Sequence, residues 1–136
     1  MQRIEPPELP AGPAARFAYS YGVRAGSTVW ISGQVAFNAR GEIVGVDDVE
    51  AQATQVFENL KAVVEAAGGS LDDLVSTRTY MVDRAHSLAV NAVRERYLTG
   101  AVKPTSTLLV VAGLARPELL VEIEAVAVLG ERGQTP

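Results

Sequence analysis

The chain has 136 residues, 48% of them hydrophobic and 21% charged, with a formal net charge of −4. That length supports one domain with a substantial core and not two ordinary ones. The acidic balance gives no electrostatic reason to expect nucleic acid or an anionic membrane as a partner. With no cysteine and a single histidine, His86, disulfides, thiolate metal sites and a cysteine nucleophile are excluded, and a Ser-His-Asp triad is hard to assemble. Residues 1–10 (MQRIEPPELP) hold no apolar signal-type core, and no apolar run approaches membrane-spanning length. The default expectation is a cytoplasmic protein.

Residues 1–15 carry Pro6, Pro7, Pro10, Gly12 and Pro13. Proline fixes φ and removes a donor, so an extended or loosely held arm is expected. Residues 17–23 (FAYSYGV) alternate aromatic and small side chains and predict a first strand, with residues 24–27 as its turn. Residues 28–32 (TVWIS) predict a second strand that ends at Gly33, with residues 34–37 continuing it past a bulge at that glycine. A turn at residues 38–41 leads to a short edge segment over residues 42–46.

Asp47 opens the first helix as a cap, with Glu50 three residues on. Val49, Ala53, Val56, Leu60, Val63 and Ala67 form one apolar stripe. Gly68-Gly69 ends the helix, one of the pair adopting the left-handed conformation. Residues 74–82 predict a third strand, with Val75, Thr77, Thr79 and Met81 opposite Ser76, Arg78, Tyr80 and Val82. A second helix is expected over residues 85–98, its stripe being Ala85, Leu88, Ala89, Ala92, Val93 and Tyr97. Thr99-Gly100 stops it, and Pro104 blocks a restart.

The last two strands are expected at residues 106–111 and 120–128, joined by a loop carrying Gly113 and Pro117. The second alternates cleanly: Val121, Ile123, Ala125 and Ala127 point one way, and Leu120, Glu122, Glu124, Val126 and Val128 the other. Glutamate is rarely buried without a partner, so that face is either wet or part of a site that needs the charge. The whole predicts one α+β domain over residues 1–136, β-β-α-β-α-β-β, with two helices on one face of a mixed sheet. The other face, rich in Val and Leu, needs cover, which argues for self-association.

Five segments carry a resemblance: TVWISGQ (28–34), ATQVFENLKAVVEAAGGSLDDLV (53–75), RTYMVD (78–83), Asn91 in LAVNAV, and VAGLARPELLVEIEAVA (111–127). Together they resemble the Rid family of reactive intermediate deaminases, also called the YjgF type, some members of which carry the older description of endoribonuclease. The resemblance covers nearly the whole chain beyond about residue 18. It implies a chorismate-mutase-like subunit and a homotrimer whose sheets close into a central barrel, with small-molecule clefts between subunits. It also implies cofactor-free and metal-free hydrolysis of enamines and imines, such as 2-aminoacrylate, to 2-keto acids and ammonia. The family's cleft residues fall on Tyr19, Ser32, Gly33 and Asn91, and the glutamate that positions the attacking water falls on Glu122.

One departure stands out. Deaminating members carry an arginine two residues after the proline that opens the penultimate strand, and here that position is Ser106, followed by Thr107. A guanidinium grips a carboxylate with two charge-assisted bonds, whereas a hydroxyl offers one neutral bond. Hydrogen bonds to charged groups contribute about 1.5–3 kcal/mol against roughly 1 for neutral ones. The usual 2-imino-acid substrate would therefore be held on the order of ten to a few hundred times less tightly. Arg16, Arg78 and Arg116 are the candidate replacements.

Each of these residues also has a plainer reading. Glu122 is either a water-orienting group or a solvated carboxylate on a sheet face, and Glu124 pairs with Arg78 across strands. Tyr19 is either a cleft residue or a strand aromatic with a satisfied hydroxyl. Ser106 and Thr107 line a pocket or bond nearby backbone, and Asn91 lines the cleft or ties down a loop. His86 reads as a surface or capping residue, and Gly33 and Gly113 as bulge or close-approach positions. Two functions remain open: a deaminase-like hydrolase, and a non-catalytic metabolite-binding trimer on the same fold. A ribonuclease ranks last, since the chain shows no basic stripe or base-stacking platform.

Overall fold

The structure, a computed structural model, describes residues 1–10 and 17–130. Its elements are β1 (Gln2–Ile4), β2 (Gly22–Ala25), β3 (Thr28–Gln34), α1 (Val49–Ala66), β4 (Leu74–Met81), α2 (Ser87–Tyr97), β5 (Thr105–Val110) and β6 (Val121–Val128). The strands form one mixed sheet in the order β1-β2-β3-β6-β4-β5. All neighbouring pairs are antiparallel except β4 and β5, which run parallel. A parallel pair needs a crossover, and α2 supplies it. The expected α+β class, with two helices and a mixed sheet, is the one observed.

The α1 stripe lands as its spacing predicts: Ala53, Val56, Leu60, Val63 and Ala67 are buried. The cap is Asp48 rather than Asp47; its side chain accepts from the Ala51 backbone N–H. Asp47 is displaced from that role by a left-handed backbone, φ 60°. Gly68, at φ 98°, takes the left-handed turn at the other end, where a β-carbon would be strained. The α2 stripe is rotated from the expected one. Val90 and Val93 face the core, Tyr97 stacks on Phe57 with ring centroids 5.4 Å apart, and Leu88 is 83% exposed. A separate 3-10 turn at Arg84–His86 precedes α2 and shifts its start. His86 stands at the α2 boundary but makes no side-chain capping bond.

Other expectations are corrected. The N-terminal segment is not a loose arm over its described part, because β1 pairs with β2 and Ile4 and Leu9 are buried. The prolines come only after β1, so its ladder keeps its donors. The first expected strand begins late: residues 17–21 lie outside any strand and Phe17 is 68% exposed, while the strand itself runs on to Ala25. Residues 42–46 supply only an isolated bridge, Ile43 to Phe37. Val75 is exposed because a register shift between Leu74 and Ser76 turns it outward, leaving Leu74, Thr77, Thr79 and Met81 inside. The last two strands are not partners: β4 lies between β5 and β6.

The core lies between the helices and the sheet, and β6 runs through its middle with Val121, Ile123, Ala125 and Ala127 all buried. Fully burying an aliphatic side chain stabilises the fold by about 1.5–3 kcal/mol. Two buried amides punctuate α1. Gln52 bonds the Gly45 and Glu118 carbonyls and the Leu120 N–H. Asn59 donates to the Val35 and Phe37 carbonyls. Together they pin the loops that flank β3 and β6.

Candidate functional site

The site grows from a bulge. Ile31 pairs with Ala125 and Gln34 with Ile123, so Ser32 and Gly33 together oppose Glu124 alone. The extra residue keeps both Ile31 and Gln34 buried although they are three apart. It also brings the Gly33 backbone over the neighbouring carboxylate. A β-carbon on Gly33 would lie 2.0 Å from Glu122 Oε2 and 2.8 Å from Cδ. Only glycine leaves space for Glu122 to sit where it does. Its backbone is not left-handed, so that contact, and not torsion, is what requires glycine here.

Glu122 is half-buried on the sheet face opposite the helices, directly across from Tyr80 on β4. Burial, and secondarily the negative charge of Glu124, raises its pKa above the ordinary carboxylate value. Tyr19 stands close enough for its own pKa to be raised, first by burial and then by the Glu122 charge. Its ring meets Tyr21 edge-on, with centroids 6.0 Å apart. The Tyr21 hydroxyl donates to the Pro10 carbonyl, and the Ser32 hydroxyl to the Ser20 carbonyl. The segment holding Tyr19 is thereby stapled to β3. A half-buried carboxylate with a raised pKa beside a phenol can orient a water molecule and exchange protons with it.

Within one protomer the remaining expected residues stand elsewhere. Thr107 is in register with Arg78, on the Glu122 face, whereas Ser106 is in register with Thr77, on the helix face. Both are exposed on β5, separated from β6 by β4. Asn91 is exposed on α2 and donates to Glu95 Oε1 over 3.2 Å. Ser32 is beside Gly33, but its hydroxyl is engaged with backbone. Of the arginines, Arg78 approaches Glu124 at 3.8 Å and Arg116 pairs with Glu118 at 3.5 Å; Arg16 lies outside the described residues. Among the described residues no three His, Cys, Asp or Glu side chains gather as a metal would require.

Tyr80 is the residue that sequence reasoning passed over. Its hydroxyl donates to Glu124, and the signal was its place with Arg78 on one face of β4. The cavity behind Tyr19, Tyr21 and Gly33 measures about 50 Å³, far below the roughly 300 Å³ at which ligand pockets begin. A larger hollow of about 400 Å³ runs along α1 between Val44, Asp48 and Thr54. It is open to solvent and has no part in the Glu122 cluster. A single protomer therefore presents the Glu122 carboxylate without an enclosing wall.

The sequence profile of the family described as endoribonuclease L-PSP matches residues 10–129. Among solved structures, RidA from the Antarctic bacterium Psychrobacter sp. is 36% identical with a TM-score of 0.86, covering 95% of this chain and 100% of its own. The YjgF gene product of E. coli is 36% identical, TM-score 0.84, with 96% and 100% covered. E. coli TdcF, solved with bound serine, is 34% identical, TM-score 0.84, again with 96% and 100% covered. No helix among the described residues is long and apolar enough to cross a membrane.

Proposed function

The chain belongs to the endoribonuclease L-PSP family, the one that holds RidA and YjgF, and from that premise we propose that it hydrolyses small imines and enamines at a cleft between subunits of a homotrimer. The observation that carries this reading is the Glu122 carboxylate, half-buried against Gly33 with its pKa raised. Ionised, Glu122 takes a proton from water as the water oxygen bonds to the imine carbon. The nitrogen receives that proton to give the carbinolamine, Glu122 then carries the carbinolamine hydroxyl proton to the same nitrogen, and the C–N bond breaks so that ammonia leaves as the carbonyl forms. In this reading Glu122 itself activates the water, in place of a metal or cofactor.

Assembly is supported by β5. All six of its residues are exposed in the protomer, including Leu108, Leu109 and Val110, and Trp30 on the open sheet face is 50% exposed. An apolar edge strand of this kind invites cover by another chain. In this reading Ser106, Thr107 and Asn91, which lie away from Glu122 in one protomer, form the neighbour's wall of the cleft. The serine bound to TdcF is consistent with a site scaled to small amino-acid-like molecules. Ribonuclease action is disfavoured, since Glu122 and Glu124 would repel a phosphate backbone.

Ser106 favours one second reading, a metabolite-binding trimer without turnover, because a hydroxyl replaces the arginine that would clamp a substrate carboxylate. The test generates 2-aminoacrylate in situ with a serine- or cysteine-consuming enzyme and follows its disappearance. The wild type is expected to accelerate hydrolysis weakly, and Ser106→Arg to raise kcat/KM by about ten-fold or more through tighter carboxylate binding. Ligand binding with no acceleration by either protein would select the second reading.

A further inference from the structure

Two carboxylates stand two residues apart on the open face of β6, in different company. Glu122 rests on Gly33, which brings no charge of its own. Glu124 meets two groups from β4 on a single oxygen: the Tyr80 hydroxyl donates to Oε1, and Arg78 Nη1 lies 3.8 Å from the same atom. Arg78 is directly opposite Glu124, but Tyr80 is directly opposite Glu122. Tyr80 thus reaches diagonally past its own partner to hold the next carboxylate, a reach that aromatic side chains manage across a ladder.

The geometry points to Glu124, tethered by Tyr80 and Arg78, as an electrostatic set-point for the Glu122 carboxylate. Same-face neighbours on a strand are about 6.6 Å apart, a distance at which unit charges still interact through partly buried surroundings. Among the described residues, the titratable and charged groups facing Glu122 are Tyr19 from the segment before β2, Tyr80 and Arg78 from β4, and Glu124 from its own strand. β3 offers Ser32 and Gly33 there, neither of which titrates, and β5 is held off by the intervening β4. Burial is the first cause of the raised Glu122 pKa, and of these groups Glu124 is the one whose negative charge adds to it. Arg78 partly cancels that charge, and Tyr80 fixes where it sits. Within the protomer Arg78 is thus turned toward Glu124.

This inference rests on Glu122 being the base, so its test is read from ionisation and not from turnover. The Glu122 carboxyl carbon is followed by NMR through a pH titration of the full chain in its native assembly. Glu124→Gln removes the like charge and lowers the Glu122 midpoint by about half to one pH unit. Arg78→Met leaves Glu124 uncompensated and moves the midpoint upward by a similar amount, while Arg78→Lys, which keeps the charge, restores most of it. Opposite shifts from two neighbouring substitutions are not what loss of packing produces. A midpoint that Glu124→Gln leaves unmoved or raises, or that Arg78→Met leaves unmoved or lowers, overturns the inference. Shifts in the expected directions in a protein that hydrolyses nothing would uphold it and remove the catalytic reading alone.

Discussion

On one side of β6, Val121, Ile123, Ala125 and Ala127 are at most 4% exposed, while on the other Glu122, Glu124, Val126 and Val128 remain partly open to solvent. One eight-residue strand thus belongs to two environments, separated only by the pleat. The inner side is packed against α1, and its interactions are apolar and non-directional. The outer side holds charge in a geometry that depends on one missing β-carbon and one inserted residue. Substitutions on the inner side should act on stability, and those on the outer side on chemistry.

The largest expected effect tests the inner side. Ile123→Ala removes a fully buried side chain and should destabilise the fold by about 2–5 kcal/mol, read from urea unfolding of the intact assembly. A loss well under 1 kcal/mol would mean that β6 is not central to the core. The outer side is tested by Gly33→Ala. The added methyl meets the flexible end of Glu122 and not backbone, so the fold should melt within a few degrees of wild type. Turnover should fall by about a hundred-fold as the carboxylate is pushed off its position. Equal losses in both measurements would erase the distinction between the two sides.

The smallest effect sharpens the comparison through pH. Glu122 has a raised pKa when folded, so between its unfolded and folded values the native state binds more protons than the unfolded one. That contribution is complete below the unfolded pKa and is lost as pH rises through the folded one. Glu122→Gln, which cannot ionise, should therefore be modestly more stable than wild type at neutral pH. The gap should close on acidification into the ordinary carboxylate range. A gap that widens toward acid would mean that the ionised form is the one favoured by folding.

Much of this division is legible in the residues. The period-two alternation of β6 identified its inner row because branched aliphatics and glutamates differ so sharply in the cost of burial. The α1 stripe was equally clear, but Gln52 and Asn59 sit within it, at i and i+7 beside Val56 and Val63. Polar residues inside an apolar stripe were the available sign of buried amides tying loops. The α2 stripe misled because alanines carry little preference for inside or outside, so Ala85, Leu88 and Ala92 traced a plausible but wrong face. Residues 17–21 alternate like a strand, yet they form the stapled segment that brings Tyr19 to Glu122. Strand order was not accessible: nothing local says that β4 inserts between β5 and β6, and hence that a whole strand separates Ser106 from Glu122 within one protomer.

The most direct test of the central claim is the rate at which Glu122→Gln consumes 2-aminoacrylate, compared with wild type at equal concentration and with the oligomeric state checked by light scattering. If Glu122 is the base, that rate falls to the level seen without the protein while assembly is unchanged. A variant that keeps the wild-type rate would show that the carboxylate beside Gly33 takes no part in the reaction.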